Sequence, residues 1–175
     1  MNDEILDVVD PDDMVVSKAA RTEVYDRGLM HRIVHVFVIS KNNQVYLQKR
    51  AETVSYMPGC WCTSAGGHVL SGEDYEQAAK RELDEELGIK TDKLFKIGEK
   101  FIYTINNQDR FIQIFALFTP VMPKDSEEVS GGKFLSIEEI IELVNKDENI
   151  HPQLPPCFDV LLNNQDYVKE ILEKQ

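Results

Sequence analysis

The chain has 175 residues, which is enough for one domain of ordinary size with a substantial hydrophobic core. Hydrophobic residues make up 42% of it and charged residues 29%, the composition of a soluble globular protein, and no apolar run is long enough to span a bilayer. The net charge of −12 argues against general electrostatic binding to duplex nucleic acid, but it is compatible with a small phosphorylated substrate whose charge is offset by metal ions.

The N-terminal residues and the cysteines predict a cytoplasmic protein. Residues 1–5 lack the basic and apolar regions of a secretory signal, so a cytoplasmic location is the default expectation. The cysteines Cys60, Cys62 and Cys157 have the spacing of neither a disulfide framework nor a zinc site. We expect them to be buried free thiols.

The first part of the chain predicts an arm followed by a hairpin. Residues 1–28 are polar and predict an arm or edge strand that packs on the domain. β-Branched residues predict a strand over His31–Ile39, and turn residues at 41–43 connect it to a second strand over 45–49.

A helix is predicted between Ser71 and Gly88. Ser71 is the predicted N-cap, and Glu73 and Asp74 lie near the positive end of the helix dipole. Gly88 supplies the stop. The apolar positions follow helical spacing and are Tyr75, Ala78, Ala79, Leu83 and Leu87.

The second half of the chain predicts further strands and helices. In chain order, these elements are strands over 100–105 and 111–118 with a turn at 106–109, an acidic loop over 125–133, a short helix from the capping-box pair Ser136 and Glu139 to about Val144, and an amphipathic helix over 158–172. The whole sequence, residues 1–175, therefore predicts one α/β domain with a mixed sheet and helices on its faces.

Three glutamates lie on or beside the apolar face of the central helix. On a helical wheel with Tyr75 at zero, the apolar stripe runs from about 300° to about 120°, and Glu82 and Glu86 fall inside it while Glu85 lies at its border. Carboxylates at this spacing repel one another, and burying an unpaired one is costly. We therefore expect a positive partner at this position.

Two kinds of partner stay open at this point. Arg81 can pair with Glu85, which is a purely structural solution, and an acidic surface ridge is the more common explanation of such a helix taken alone. A divalent cation can neutralise more of the charge, and all-oxygen ligation favours a hard ion, Mg²⁺ or Mn²⁺.

A longer spacing pattern favours the metal ion. Gly67 is followed after five residues by Glu73, and after seven more by residues 81–89, which read Arg-Glu-Leu-Asp-Glu-Glu-Leu-Gly-Ile. Residues 67–89 match, at every defined position, the signature of the Nudix family, and the chain is identified as a member of that family. The resemblance implies an α/β/α sandwich with a mixed β-sheet.

The resemblance also implies an activity and a set of metal ligands. Nudix proteins typically hydrolyse a nucleoside diphosphate linked to another moiety, with bound Mg²⁺. Carried onto this chain, Glu85 and Glu86 are metal ligands, and Glu82 is a further ligand or the base that activates water. The backbone carbonyl of Gly66 or Gly67 adds a ligand where the loop enters the helix.

Other residues support the implied site. By the resemblance, Arg81 orients the glutamates through a salt bridge that can include Glu73. A further acidic residue from a loop often completes the site in this family, and Glu127 or Glu128 is the candidate here. The alternative for both is a solvated loop charge.

Residues outside the Nudix box resemble type I isopentenyl diphosphate isomerases, which share the fold. These residues are 29–32, 47–50, 58–61 and 67–68. The resemblance implies that His31, His68 and Arg50 contact the metal or the substrate diphosphate. Structural hydrogen bonds for the histidines and a surface charge for the arginine are the alternatives.

The chain departs from the isomerases at several positions. Gly66 stands where those enzymes have the catalytic cysteine, and Cys62 is shifted by several residues, so that we expect it on a different part of the strand. Residues 108–111 contain no Glu-x-Glu pair, and a third metal-site histidine is missing.

Mg²⁺-dependent hydrolysis of a diphosphate linkage in a small molecule is therefore the predicted function. Isomerisation of isopentenyl diphosphate is the alternative, and a binding module without turnover is a third hypothesis. The aromatic residues Tyr25, Trp61, Phe101 and Tyr103 either line the substrate pocket or pack in the core. Substrate identity and oligomeric state, including a homodimer, stay open.

Overall fold

The computed structural model describes residues 3–120, 123–124, 126–146 and 149–174. The N-terminal segment forms a separate antiparallel pair of strands, β1 (Ile5–Val9) and β2 (Val15–Ala20), followed by the short helix α1 (Arg21–Asp26). It has a small apolar cluster of its own, made of Leu6, Val8, Ala19 and Val24. The sequence predicted an arm here, and the structure shows a hairpin and a helix.

Seven strands form the main sheet. They are β3 (His31–Ile39), β4 (Val45–Arg50), β5 (Trp61–Cys62), β6 (Ala65–His68), β7 (Phe95–Ile105), β8 (Gln108–Phe118) and β9 (Val129–Leu135). The order is β5-β4-β3-β8-β7, with β6 paired to β3 and β9 paired to β4. The central pair of β3 and β8 is parallel and the other pairs are antiparallel, so the sheet is mixed.

Helices cover both faces of this sheet. They are α2 (Tyr75–Leu87), α3 (Ile137–Lys146), α4 (Leu154–Asn163) and α5 (Gln165–Glu173). One apolar cluster joins the α2 side chains Ala78, Leu83 and Leu87 to one face of β3, and a second cluster joins α4 and α5 to the opposite face. The layers confirm the predicted α/β/α sandwich.

The helix α2 begins later than the sequence indicated. Asp74, not Ser71, is the N-cap, and its side chain accepts a hydrogen bond from the backbone N–H of Gln77 in a capping box. The Ser71 hydroxyl is buried and has no partner within the described chain. The predicted stop is confirmed, because Gly88 closes the helix with φ +64°.

Two other predicted segments need correction. Residues 129–133 belong to strand β9, which pairs with β4, rather than to a loop. Gly132 packs directly against the Tyr46 ring, where a side chain has no room, and this explains a glycine inside the strand. The closing helix is two helices that meet at Asn164, whose side-chain amide donates to the Val160 carbonyl. Asp125, part of the same predicted loop, lies outside the described residues.

The remaining predictions agree with the structure more closely. The turn between β7 and β8 contains Asn106 and Asn107, both with positive φ, and the two strands are longer than predicted. Ser136 and Glu139 form the predicted capping box of α3. The three cysteines are buried thiols, as expected. No helix in the described ranges has the length and apolar character needed to cross a bilayer.

The strand β3 changes partners along its length, and this positions the site. Its first half pairs with β6 over Ile33–Val36, whereas its last residues, Val38 and Ile39, pair with β4. Between these two stretches, β3 passes from one partner strand to the other on the same side. The glycine pair Gly66 and Gly67 of β6 lies beside this point, facing the C-terminal half of α2.

Candidate active site

A cavity of about 580 Å³ opens beside the glycine pair. Its walls come from the N-terminal segment, the sheet, the helix α2 and the segment before α4. Of the residues predicted for the site, it is lined by Arg50, Gly67, His68, Glu82, Glu85 and Glu86. The structure therefore brings these residues together.

Arg81 contacts three carboxylates that lie on α2 or just before it. Its guanidinium contacts both carboxylate oxygens of Glu73, at 2.9 and 3.0 Å, and it donates to Glu82 at 2.7 Å and to Glu85 at 3.1 Å. It also donates to the His68 carbonyl at 2.8 Å, which ties the helix to β6. A single guanidinium thus contacts three carboxylates, so it does not fully neutralise them.

Glu86 is the buried carboxylate that Arg81 does not reach. It is 4% exposed, and it accepts hydrogen bonds from the Gly66 N–H at 2.9 Å and from the Gln48 amide at 3.1 Å. Burial, together with the charge of Glu82, raises the pKa of Glu86 to about 8. Burial also raises the pKa of Glu82 to about 7, although Arg81 opposes the shift. When these two carboxyl groups are ionised, their negative charge is therefore poorly compensated at the end of the cavity near α2.

Gly66 has no room for a side chain, and Gly67 lies directly against the end of the Glu82 side chain. A Cβ at Gly67 would overlap the carboxylate of Glu82. A Cβ at Gly66 would lie 2.6 Å from Nδ1 of His35 and 2.7 Å from the Val34 carbonyl oxygen. The strand can therefore approach the glutamates closely only without side chains here, and a cysteine at Gly66 does not fit without moving backbone.

The donor set fits a hard divalent cation, which prefers oxygen ligands. Glu82, Glu85 and Glu86 supply carboxylate oxygens, and Gly67 supplies a backbone carbonyl beside them. In the described part of the chain, no three acidic, histidine or cysteine side chains surround one point as they stand. Glu82 and Glu85 are instead turned toward Arg81, so binding of a metal ion requires them to rotate.

The loop before β9 completes the acidic wall. Glu127 and Glu128 line a second cavity of about 530 Å³ together with the three glutamates of α2, and Glu128 lines the main cavity as well. Both side chains are exposed. Of the two loop candidates, Glu128 therefore faces more of the site.

The predicted substrate-binding residues occupy different places. Arg50 lines the cavity, and its Nε donates to the Tyr56 carbonyl at 3.1 Å. His68 also lines it, with Nε2 2.9 Å from the Tyr25 hydroxyl, and burial lowers its pKa. His31 has no exposed surface and does not line the cavity, so its placement disagrees with direct substrate contact. Its ring packs behind that of His68, with centroids 5.5 Å apart.

Several lining residues were not predicted from the sequence. His35 lies on the same face of β3 as Ile33, and its two nitrogens bond to Thr63 at 2.7 Å and to Gln153 at 3.1 Å. Burial lowers its pKa to about 4, so the ring is neutral at physiological pH. The two-residue period of the strand could have indicated this residue, whereas no local pattern marks Gln153 as part of the site.

The N-terminal segment supplies part of the cavity wall. Glu4 lies 3.4 Å from Nδ1 of His68 and pairs with Arg21 at 3.3 Å. Of the four aromatic candidates, Tyr25 lines the cavity, whereas the other three, Trp61, Phe101 and Tyr103, pack against the hydrophobic core.

Cys62 lies closer to the site than the sequence indicated. It is on β5 rather than on the strand that carries Gly66, yet its side chain lines the same cavity as the glutamates. Burial raises the pKa of this thiol to about 11, with a contribution from the charge of Glu86. The thiol is therefore protonated at neutral pH and is a poor nucleophile.

The fold and the acidic cavity are those of a known class of enzymes. The family model described as the NUDIX domain matches residues 29–156, so the chain belongs to the Nudix family. A Nudix hydrolase of Nostoc sp., described as uncharacterized, is 32% identical over 83% of this chain and 88% of its own length. With this family and these relatives, the protein is a hydrolase that acts on a diphosphate linkage.

Isomerases and a solved structure are also among its relatives. Isopentenyl-diphosphate Delta-isomerase 2 of Photorhabdus laumondii is 30% identical, over 94% of each chain. The crystal structure of DR0079 from Deinococcus radiodurans superposes with a TM-score of 0.76 at 27% identity, covering 90% of this chain and 97% of that one. The protein is thus similar both to Nudix hydrolases and to isomerases of the same fold.

Proposed function

We propose that the protein is a Mg²⁺-dependent hydrolase of nucleoside diphosphate derivatives or related small diphosphates. The observation that carries this proposal is the position of Glu82 and Glu86, which are buried at the cavity beside the glycine pair with too little positive charge to balance them. Keeping buried acids in this state costs stability, and binding of a cation offsets that cost.

The glutamates and one carbonyl would hold the metal ion. Glu82, Glu85, Glu86 and the carbonyl of Gly67 are the proposed ligands, and Mn²⁺ is the alternative ion. When bound, the ion neutralises the diphosphate oxygens and lowers the pKa of a water molecule. Arg81 holds Glu82 and Glu85 beside the cavity through the hydrogen bonds described above, and both side chains would turn from it toward the ion.

Two carboxylates can accept the proton of the attacking water. Glu82 lies on the cavity wall but shares its charge with Arg81, whereas Glu128 is exposed to both cavities and its carboxylate has no hydrogen-bond partner among the described residues. We propose Glu128 as the proton acceptor, which leaves Glu82 as a ligand.

The cationic and imidazole groups of the wall would bind the substrate. Arg50 presents a guanidinium to the cavity without a carboxylate partner in the described chain, which suits a phosphate oxygen. His68 is held by Tyr25 and Glu4 and can contact the same region. His31 would act only indirectly, by packing against His68.

Isomerisation is the second candidate, because relatives named as isomerases align along almost the whole chain. The residues of this chain do not support it. Gly66 has no thiol and no room for one, and the Cys62 thiol stays protonated.

A cytoplasmic location of the protein stays an expectation from the sequence.

An assay with a small panel distinguishes the two candidates. The purified protein is incubated with Mg²⁺ and with ADP-ribose, UDP-glucose, NADH or isopentenyl diphosphate, and the products are resolved by phosphorus NMR and chromatography. Hydrolysis predicts nucleoside monophosphate and a phosphorylated second product. Formation of dimethylallyl diphosphate without cleavage would instead support the isomerase.

A further inference from the structure

Arg110 is a buried cation that has no counter-ion among the described residues. It begins the parallel pairing of β8 with β3, opposite His31, and its side chain lines the cavity although the residue is only 5% exposed. Its Nε has no hydrogen-bond partner, and it forms no ion pair with any acid in the described ranges. Arg21, which lines the same cavity, is by contrast neutralised by Glu4 at 3.3 Å.

The surroundings of Arg110 hold its guanidinium in place without neutralising it. The side-chain NH₂ of Gln108 donates to the backbone carbonyls of Val24 at 3.0 Å and Leu29 at 3.1 Å. The side-chain oxygen of Gln108 therefore faces Arg110 and accepts a hydrogen bond from its Nη2 at 3.3 Å. The Tyr25 ring lies 5.8 Å from the guanidinium carbon. A buried charge that is oriented by neutral groups alone is costly unless an anion joins it.

The cavity therefore has two ends of opposite character. His35 of β3 pairs with Gly66, next to the glutamates, whereas His31 pairs with Arg110. The two positions are four residues apart along β3, or roughly 13 Å at the rise of a strand. A ligand whose diphosphate lies at the acidic end can thus extend along the strand to Arg110.

We propose that Arg110 binds a second anionic group of the substrate, a carboxylate or a phosphate, distant from the diphosphate that is cleaved. This inference rests on the proposed diphosphate hydrolysis and narrows its substrate class to molecules that are charged at both ends. Arg110 is accordingly a residue that determines specificity, and it takes no part in the proton transfer.

Matched ligand pairs test this proposal. UDP-glucuronate and UDP-glucose differ in a carboxylate on the sugar, and NADPH and NADH differ in a phosphate on the adenosine ribose. Dissociation constants are measured by calorimetry with Ca²⁺ in place of Mg²⁺, so that binding is measured independently of turnover. We expect the charged member of at least one pair to bind roughly 10- to 100-fold more tightly, as for a charge-assisted hydrogen-bonded pair. A preference within the UDP-sugar pair would identify the second anionic group as a carboxylate, and a preference within the nicotinamide pair would identify it as a phosphate.

Variants assign the preference to Arg110. The substitution R110Q is expected to reduce this preference to less than about threefold, and R110K to retain part of it. The matched control R27Q, at an exposed residue just after α1, is expected to leave it unchanged. Circular dichroism checks that each variant is folded. If R110Q is not folded, the comparison of R110K with the wild-type protein tests the proposal.

Equal affinities within both ligand pairs would overturn the proposal, and so would a preference that is undiminished in folded R110Q or R110K. Hydrolysis of uncharged-end substrates alone would leave the proposed function intact, whereas absence of any hydrolysis would overturn that function without altering the binding result.

Discussion

The Glu86 carboxylate shows how this chain places a costly group where a ligand can use it. Burial in the apolar stripe of the helix raises the pKa of this carboxylate, and Arg81 of the same helix contacts Glu73, Glu82 and Glu85 instead. The hydrogen bonds from Gly66 and Gln48 orient the group but supply no net charge. At the scale of single residues, the site is thus prepared for a cation.

The two loop glutamates provide a matched pair for the proton acceptor. We expect E128Q to lower kcat by at least about tenfold, because general-base catalysis contributes factors of about 10² to 10⁴. The neighbouring substitution E127Q removes the same charge from the loop and should change kcat less than about threefold. Steady-state kinetics at saturating Mg²⁺ measures both, and equal losses in the two variants would show that only the loop charge matters.

The elements show which parts of the fold local patterns predict. The strand β3, the helix α2 and the capping box of α3 follow from hydrophobic period, caps and turn residues, and the structure confirms them. The strand β9 was missed, because its glycines indicate a loop locally, and the reason for one of them, Gly132, is its packing on Tyr46. The Nudix box similarly predicted the acidic end of the cavity, whereas Glu4, Gln153 and Arg110 come from segments distant in sequence and carry no local motif.

The start of α2 provides a test at this scale. We expect D74A to lower the free energy of unfolding by about 1 kcal/mol, because it removes the side-chain acceptor at the N-cap. The substitution S71A, at the cap predicted from the sequence, should cost much less, since its hydroxyl has no partner in the described structure. Urea denaturation of both variants measures the difference, and a larger loss in S71A would contradict the observed cap.

For the whole molecule, one layered fold joins the sheet, the acidic helix and the N-terminal hairpin around the main cavity. The hairpin is fastened by Asp13, which is buried and contacts Arg32, Lys100 and the Tyr75 hydroxyl. Because the hairpin also supplies Glu4 to the cavity wall, we propose that residues 1–175 function as one domain. We therefore expect the ionisation of the buried glutamates in this cavity to affect the stability of the whole domain.

The ionisation of Glu86 should be visible in the pH dependence of the free energy of unfolding. The pKa of Glu86 is raised to about 8 from an unfolded value of 4.5, so the folded state holds its proton more tightly and its stability contribution is lost as pH rises toward 8. The buried histidines His31, His35 and His151, with pKa values lowered to between about 3 and about 4, have the opposite effect, which fades above about pH 7. The substitution E86Q leaves these histidines in place and therefore isolates the glutamate.

We expect metal-free E86Q to gain roughly 2 kcal/mol of stability over the wild-type protein as pH rises from about 6 to about 8.5. Adding Mg²⁺ at the higher pH should stabilise the wild-type protein more than E86Q, since the ion binds the ionised carboxylates of the folded state. Denaturation with and without EDTA measures both effects. A wild-type protein that is unaffected by Mg²⁺ at high pH would argue against a metal site on α2.

The most direct measurement is the rate of diphosphate cleavage by wild-type protein and by E86Q, at the same saturating Mg²⁺ and with a substrate that the wild-type protein hydrolyses. Glutamine keeps the shape of Glu86 and can still accept the hydrogen bonds of Gly66 and Gln48, but it removes the charge that binds the metal ion. We predict a loss in kcat/KM of at least about 100-fold, in a variant that is folded and at least as stable as the wild-type protein. Undiminished cleavage by E86Q would contradict the assignment of the reaction to these glutamates.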